Sequence, residues 1–318
     1  MDYSGLVFAH RGNRPLTEEE QSQHLSVHDR VEGEVIYQGI CTEFNSTYME
    51  VIDKYYGWKG WLSMWMGGLA LGVTYWLIEI ISISVKRFNT LTELQKQNDL
   101  FSIGFVLFLF LPILLFLLYA LKKELFTLTH YPVRLNRKTR RVHVMMLNGE
   151  VLSVPWEEVY WHIGRGGQSA LALGSVRGHV LSEDGQTVLK TFDVGQVSGY
   201  PDSEDRWLGR HWEFMRRYME EGPQAVVDKV DFCMPIAEKK ESYWFGLQVL
   251  LSQFNGMFLP MYLFALPFVL VSSVVRWCVL KTQKIPRWPQ EVEAQCQIEA
   301  GDPYRRDIRT NPDFAGYR

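Results

Sequence analysis

Five basic residues surround one predicted turn and are the clearest candidates for a binding surface. Basic side chains held close together attract anions, and near an anionic leaflet each contributes about 1 kcal/mol of attraction. Cytoplasmic flanks of membrane helices carry the same excess of Lys and Arg. The cluster therefore predicts either a lipid- or partner-binding surface or a marker of topology alone. This group, called the basic turn below, consists of Arg134, Arg137, Lys138, Arg140 and Arg141.

A second candidate surface lies on a helix predicted over residues 205–221. Apolar residues recur there every three or four positions, and Gly222-Pro223 is a helix stop signal. Arg216 and Arg217 belong to this helix. We expect its exposed face to contact a protein partner.

Two ionisable residues interrupt long apolar runs. Glu79 and Arg276 are candidates for functional polar groups inside a membrane, because a charge at that depth is costly. Glu79 lies near the end of its run, so its side chain can also extend to the interface. We predict both as intramembrane polar residues.

The remaining polar motifs lack the rest of a catalytic or metal-binding set. Glu157 and Glu158 are adjacent, and neighbouring residues of a strand point to opposite faces. His24 and His28 lie four positions apart without a recognisable third ligand, and residues 164–167 lack the lysine of a phosphate-binding loop. We therefore predict no catalytic residue, no metal and no cofactor.

The motif His10-Arg11-Gly12 resembles the start of glycerophosphodiester phosphodiesterases, whose histidine takes part in acid–base catalysis. Those enzymes need a barrel of about 250 residues. Their downstream acidic ligands and second histidine motif are not recognisable here. We interpret the motif as part of a basic N-terminal loop and predict that the chain is not an enzyme.

Two apolar runs, residues 61–85 and 100–121, dominate the chain. A bilayer core of ~30 Å needs ~20 helical residues, and a helix satisfies its own backbone hydrogen bonds there. Residues 61–121 are thus predicted to form a transmembrane hairpin. Lys122 and Lys123 follow it directly, so we expect residues 1–60 and the main domain inside and residues 86–99 outside.

The predicted fold class is an α+β membrane protein. Residues 122–223 carry alternating runs joined by the hairpin signals Asn148-Gly149 and Asp184-Gly185, then the helix over 205–221. This order is typical of a cytosolic antiparallel β domain of pleckstrin-homology-like type. Residues 224–242 are predicted as a linker.

The other segments are less regular. Within residues 1–60, an edge strand is predicted near 34–43 and an amphipathic helix over 46–56. Residues 243–280 form either an interfacial helix followed by a single span or a re-entrant hairpin. Residues 281–318 are expected to be an irregular tail.

Composition limits the partners. The formal net charge of -3 gives no sign of a nucleic-acid binder, and the four scattered cysteines exclude a disulfide scaffold. The partners predicted are the lipid bilayer and a protein.

Residues 133–144, 154–159 and 211–223 look like segments of an uncharacterised bacterial inner-membrane protein family, a domain of unknown function. Its genes often lie beside type VI secretion spike and effector genes. The resemblance implies an immunity or effector-accessory protein that binds a secreted effector or a secretion component at the bacterial inner membrane. Alternatives are a membrane-tethered lipid-binding or scaffold module and a membrane-perturbing, channel-like effector.

Overall fold

The computed structural model of the protein divides into two compact units. It describes residues 5–7, 10–165, 174–198, 204–253 and 258–312. Unit 1 consists of Met1–Trp58, Leu128–Leu250 and Lys284–Arg318, and unit 2 of Lys59–Thr127 and Leu251–Gln283.

The described residues of unit 1 form two five-stranded antiparallel sheets. In the first sheet the strand order is β3-β4-β5-β6-β7. Of its three inner strands, β4 and β5 are buried along their whole length, as expected for central strands. The five strands are β3 Cys41–Phe44, β4 Tyr48–Val51, β5 Val133–Asn136, β6 Arg141–Met145 and β7 Val151–Pro155.

The second sheet has the strand order β1-β10-β9-β8-β2, with the short helix α1 (Glu18–Ser22) between β1 and β2 in the chain. Both predicted hairpin turns are confirmed: residues 148–149 join β6 to β7, and 184–185 join β9 to β10. Gly149 has φ 84°, the left-handed conformation that this turn requires. The strands are β1 Arg14–Pro15, β2 His24–Leu25, β8 Val159–Arg165, β9 Gly174–Leu181 and β10 Thr187–Ser198.

The predicted helix is observed as α4, Glu204–Glu221, and its apolar face joins the core of unit 1. Trp212 of this helix is fully buried against two tryptophans that flank the link between the sheets. Its ring centroid lies 5.3 Å from that of Trp156 and 5.0 Å from that of Trp161. The aromatic residues of α4 are therefore core residues.

The N-terminal region departs from the prediction. The amphipathic helix expected over residues 46–56 is wrong, because Tyr48–Val51 forms β4 between β3 and β5. Pairing on both sides and burial on both faces outweigh the weak helical periodicity of this stretch. Of the edge strand expected over residues 34–43, only residues 41–43 are strand, and they begin the edge strand β3 (Cys41–Phe44).

Among the residues that the structure describes, three helices are long and apolar enough to cross a membrane, and all belong mainly to unit 2. They are α2 Trp61–Arg87, α3 Glu93–Lys122 and α6 Leu259–Thr282. Polar residues from Glu93 onward extend α3, so the connector of the hairpin shrinks to residues 88–92. α6 continues through Pro267 as one helix. Two further helices are α5 (Tyr243–Ser252) and α7 (Gln290–Gln295).

The start of α2 and the ends of α3 and α6 meet at one end of unit 2. The buried Glu124 carboxylate accepts hydrogen bonds from the backbone N–H groups of Gly60 (2.8 Å) and Ser63 (2.7 Å) at the start of α2. The side chain of Gln283, just after α6, donates to the Glu124 carbonyl at 2.6 Å. Gly60 has φ 92°, and a Cβ there would lie 2.6 Å from the Arg276 Cα, so this approach requires glycine.

Candidate functional site

A cavity of about 270 Å³ lies in unit 1 between β10 and the turn that joins β6 to β7. Its walls are largely apolar and aromatic, with Tyr55, Tyr131 and Phe192 among the lining residues. Leu147 and Leu189 are exposed at its edge. A cavity with apolar walls and a few polar groups is the usual form of a ligand or side-chain binding site.

The polar end of the cavity is built around the buried carboxylate of Asp193. It accepts a hydrogen bond from Ser175 Oγ (2.8 Å), and its Oδ1 lies 2.9 Å from both Lys54 Nζ and Arg177 Nε. His10 Nε2 lies 2.9 Å from Oδ2. Burial alone would raise the pKa of Asp193, but Lys54 and Arg177 outweigh it and hold the pKa well below its usual value. Asp193 is therefore an ionised and fully engaged group.

The His10–Asp193 pair does not complete a nucleophile–base arrangement. The described residues that line the cavity contain no serine or cysteine for the histidine to activate. Asp193 is already engaged by two cations, so it is poorly suited to accept a proton. What the pair does is hold the segment before β1 against β10, which makes His10 a structural element of the cavity wall.

Arg134, the first residue of the basic turn, lies in the interior. It is 4% exposed, and its Nε donates to Glu50 Oε2 at 2.9 Å. Its guanidinium carbon lies 4.3 Å from the ring centroid of Tyr48 and 5.0 Å from that of Trp288. An arginine held between two aromatic faces and a carboxylate stabilises the fold, and its charge is compensated there.

The other members of the basic turn also have partners within unit 1. Arg140 bonds both Glu157 and Glu220, so its charge is compensated on two sides. The remaining three residues of the basic turn are also bonded: Arg137 to the Ser46 carbonyl, Lys138 to Glu299, and Arg141 to the carbonyl and hydroxyl of Ser153. The basic turn is therefore tied to β3–β4, β7, α4 and the C-terminal segment.

Arg216 and Arg217 both bond the Glu213 carboxylate, each at 2.7 Å from its Nε. Arg216 is buried and also bonds Glu221 at 2.8 Å. Arg217 is the more exposed of the two, with 28% of its side-chain surface open. Of the two predicted helix contacts, Arg217 is thus the one that a partner can reach.

The two predicted intramembrane residues differ in their surroundings. Glu79 is exposed on α2. Arg276 of α6 is fully buried, and its Nη1 donates to the Lys59 carbonyl at 3.1 Å, just before α2 begins. Arg276 therefore belongs to the packing of unit 2.

Histidine placement is what the sequence interpretation missed. His24 lies in β2 with its ring centroid 4.4 Å from that of Tyr160, and neither His24 nor His28 joins a ligand group among the described residues. The ligand atoms of Glu20, His162 and His179 lie within 4.8 Å of one another instead. They come from α1, β8 and β9, so no metal-ligand spacing in the sequence indicates that they meet. In the glycine-rich stretch 164–167, the first two residues end β8 and the rest lie outside the described residues.

The fold and the cavity define an α+β protein with membrane-length helices and a two-sheet unit. Over residues 110–300 the chain matches a family of unknown function, DUF6708. The protein belongs to this family, and the match runs from within α3 through β5–β10 to the segment after α7. No curated protein and no solved structure matches the chain.

Proposed function

We propose that the protein is a non-enzymatic, membrane-anchored binding protein that captures a protein partner at the cavity of unit 1. The observation that carries this proposal is the cavity edge, where the exposed Leu147 and Leu189 adjoin the charged pair Glu150 and Lys190, 3.9 Å apart. An apolar centre with a polar rim is the usual anatomy of a protein-binding surface.

A protein partner fits the charge distribution better than a lipid headgroup does. Headgroup binding needs uncompensated basic side chains. In the basic turn, Arg134 is buried against Glu50, and Arg140 is paired with Glu157 and Glu220. The positive charges of the basic turn are thus largely compensated within the protein, which argues against the predicted lipid-binding role.

We further propose that unit 1 has a pleckstrin-homology-like fold and that it lies in the cytoplasm. Two antiparallel sheets followed by an amphipathic helix support the fold assignment. Lys122 and Lys123 at the end of α3 support the cytoplasmic side. The hydrogen bonds that join Glu124, just after α3, to the start of α2 and to Gln283, just after α6, support the same side for the C-terminal tail.

The biological role proposed is that of an immunity or effector-accessory protein in a type VI secretion locus of the bacterial inner membrane. It rests on the family resemblance and on the cavity, which would bind a secreted effector or a secretion component. Deletion of the gene tests it: cells should become sensitive to sister cells with an active secretion system.

Complementation connects that phenotype to the cavity. Wild-type protein and the control Gln186→Arg, which adds the same charge at an exposed position next to the 184–185 turn, should restore protection. Leu189→Arg, which places a cation at the cavity edge, should not. A deletion strain that stays resistant but no longer kills competitors would replace immunity by a delivery role.

A second candidate, a membrane-perturbing effector, is favoured by one observation. Glu79 is exposed on a membrane-length helix, where a carboxylate facing lipid is costly. Association of α2 with another helix would remove that cost. Expression without the rest of the locus should then depolarise the membrane, and Glu79→Gln should abolish the effect; normal growth and polarisation of wild-type expressers would exclude it.

A further inference from the structure

Two buried histidines lie side by side on one face of the second sheet. His162 of β8 pairs with Arg177 of β9, which places it diagonally across from His179. The ring centroids of the two histidines lie 4.3 Å apart. Glu20 of α1 completes the group, with its Oε1 3.1 Å from His179 Nε2.

His162 carries the inference because its polar atoms are unsatisfied. The residue is fully buried, and neither Nδ1 nor Nε2 completes a hydrogen bond within the part of the chain that the structure describes. A buried polar group without a partner costs free energy and calls for an unseen partner such as an ion.

The other two residues are oriented as ligands usually are. His179 Nδ1 lies 2.8 Å from Thr191 Oγ1, which leaves Nε2 directed at Glu20. Arg14 holds the Glu20 carboxylate with two hydrogen bonds, Nη1 to Oε2 at 2.7 Å and Nη2 to Oε1 at 2.5 Å. In metal sites, hydrogen bonds from neighbouring residues to the ligands in this way fix the orientation of the imidazole ring and of the carboxylate.

We propose that Glu20, His162 and His179 bind one divalent transition-metal ion of the zinc class. Two imidazoles and one carboxylate are a common ligand set for Zn²⁺, and a tetrahedral site places such atoms about 3.4 Å apart. The present separations, within 4.8 Å, need only small side-chain movements to reach that spacing.

Binding of an ion requires an unprotonated nitrogen on each ring. His179 Nε2 faces the Glu20 carboxylate and so carries the ring proton, which would move to Nδ1, where Thr191 Oγ1 can accept it. His162 can present either nitrogen, since neither completes a hydrogen bond within the described part of the chain. The ion would replace the contact between His179 and Glu20 and fix α1 onto β8 and β9. Since β1 and His10 precede α1, the ion also stabilises the segment that closes the cavity.

Metal titration of the full-length protein in detergent tests this assignment. Co²⁺ should bind one per chain and give visible bands of tetrahedral nitrogen and oxygen coordination, and Zn²⁺ should displace it. Zn²⁺ should also raise the unfolding temperature. Glu20→Gln, at a partly exposed position, should keep the near-UV circular dichroism and weaken binding tenfold or more; His162→Phe should abolish binding.

The matched control is His143→Phe, a change of an equally buried histidine in the first sheet. It should bind Co²⁺ like the wild type. Three results would overturn the proposal: no binding by the wild type, unchanged binding by the folded Glu20→Gln protein, or a thiolate charge-transfer band, which would assign the ion to cysteine.

Discussion

The two units bury a carboxylate in different ways. In unit 1, Asp193 is surrounded by Lys54, Arg177 and His10, three side chains from separate stretches of the chain. In unit 2, Glu124 is bound by the backbone N–H groups of Gly60 and Ser63 and by the Ser63 hydroxyl at 2.5 Å. One carboxylate is neutralised by full charges, the other by the positive end of a helix.

The difference follows from the charged groups and hydrogen-bond donors that each unit contains. The sheets of unit 1 carry many ionisable side chains, which can converge on one carboxylate when distant strands meet. The long apolar stretches of the unit 2 helices carry few charges, so the orphan N–H groups at the start of α2 are the natural donors to Glu124. Unit 1 should therefore respond strongly to pH and to charge removal, and unit 2 only modestly.

Acidification should produce the largest contrast between the units. All eight histidines lie in the ranges of unit 1. Burial lowers the pKa of His162 to about 3 and the pKa values of His143, His179 and His211 to about 4, from 6.5. Between about pH 6.5 and 4 the unfolded chain then binds more protons, so the stability of unit 1 falls as pH falls, by up to about 1.4 kcal/mol per pH unit for each histidine.

Hydrogen exchange between pH 7 and 4.5, corrected for intrinsic rates, measures this effect in metal-free protein. Protection of β8–β10 should drop steeply while that of α2 and α3 stays nearly constant. His211→Phe should reduce the slope by about one proton. Equal pH dependence in both units would contradict the comparison.

Removal of the Asp193 carboxylate should be the next largest effect. Asp193→Ala leaves Lys54 and Arg177 buried without their counter-charge, which costs about 3–5 kcal/mol of unfolding free energy. Urea unfolding of unit 1 in detergent measures the loss. Asp193→Asn, which keeps the shape, should recover part of it, and a loss below about 1 kcal/mol for Asp193→Ala would show that the cations find other partners.

Glu124→Gln should cost less. The amide still accepts one hydrogen bond at the start of α2 but loses the charge that the helix N-terminus favours, about 1–2 kcal/mol. Thermal unfolding in detergent, followed by helix circular dichroism, reads this out. A cost equal to that of Asp193→Ala would remove the distinction between the two kinds of burial.

The smallest effect should come from the rim of the cavity. Glu150 and Lys190 are both about half exposed or more and lie 3.9 Å apart, so Glu150→Gln should change stability by less than about 0.5 kcal/mol. The same urea titration checks this. A larger loss would indicate that the rim helps to hold the two sheets together.

Sequence patterns predicted the helices and turns whose formation depends on residues close together in the chain. The two long apolar runs predicted the helices of the membrane hairpin, and Asn148-Gly149 and Asp184-Gly185 predicted two hairpin turns. The single long helix α6 was one of two alternatives that the apolar run 243–280 left open. The candidate site could not be predicted, since Asp193 meets Lys54 and Arg177 only when β10 pairs with β9 and the N-terminal segment folds back. Arg134 was expected at the surface because its partner Glu50 lies in β4, a strand that the helical pattern of residues 46–56 concealed.

The central claim is that the cavity of unit 1 binds a protein partner. The most direct measurement is the affinity of the full-length protein, in nanodiscs, for each purified protein encoded by the genes adjacent to its own. We expect one of these proteins to bind the wild type and Gln186→Arg equally and Leu189→Arg at least tenfold more weakly. Equal binding of that protein by all three variants, or no binding of any neighbouring gene product by the wild type, would contradict the claim.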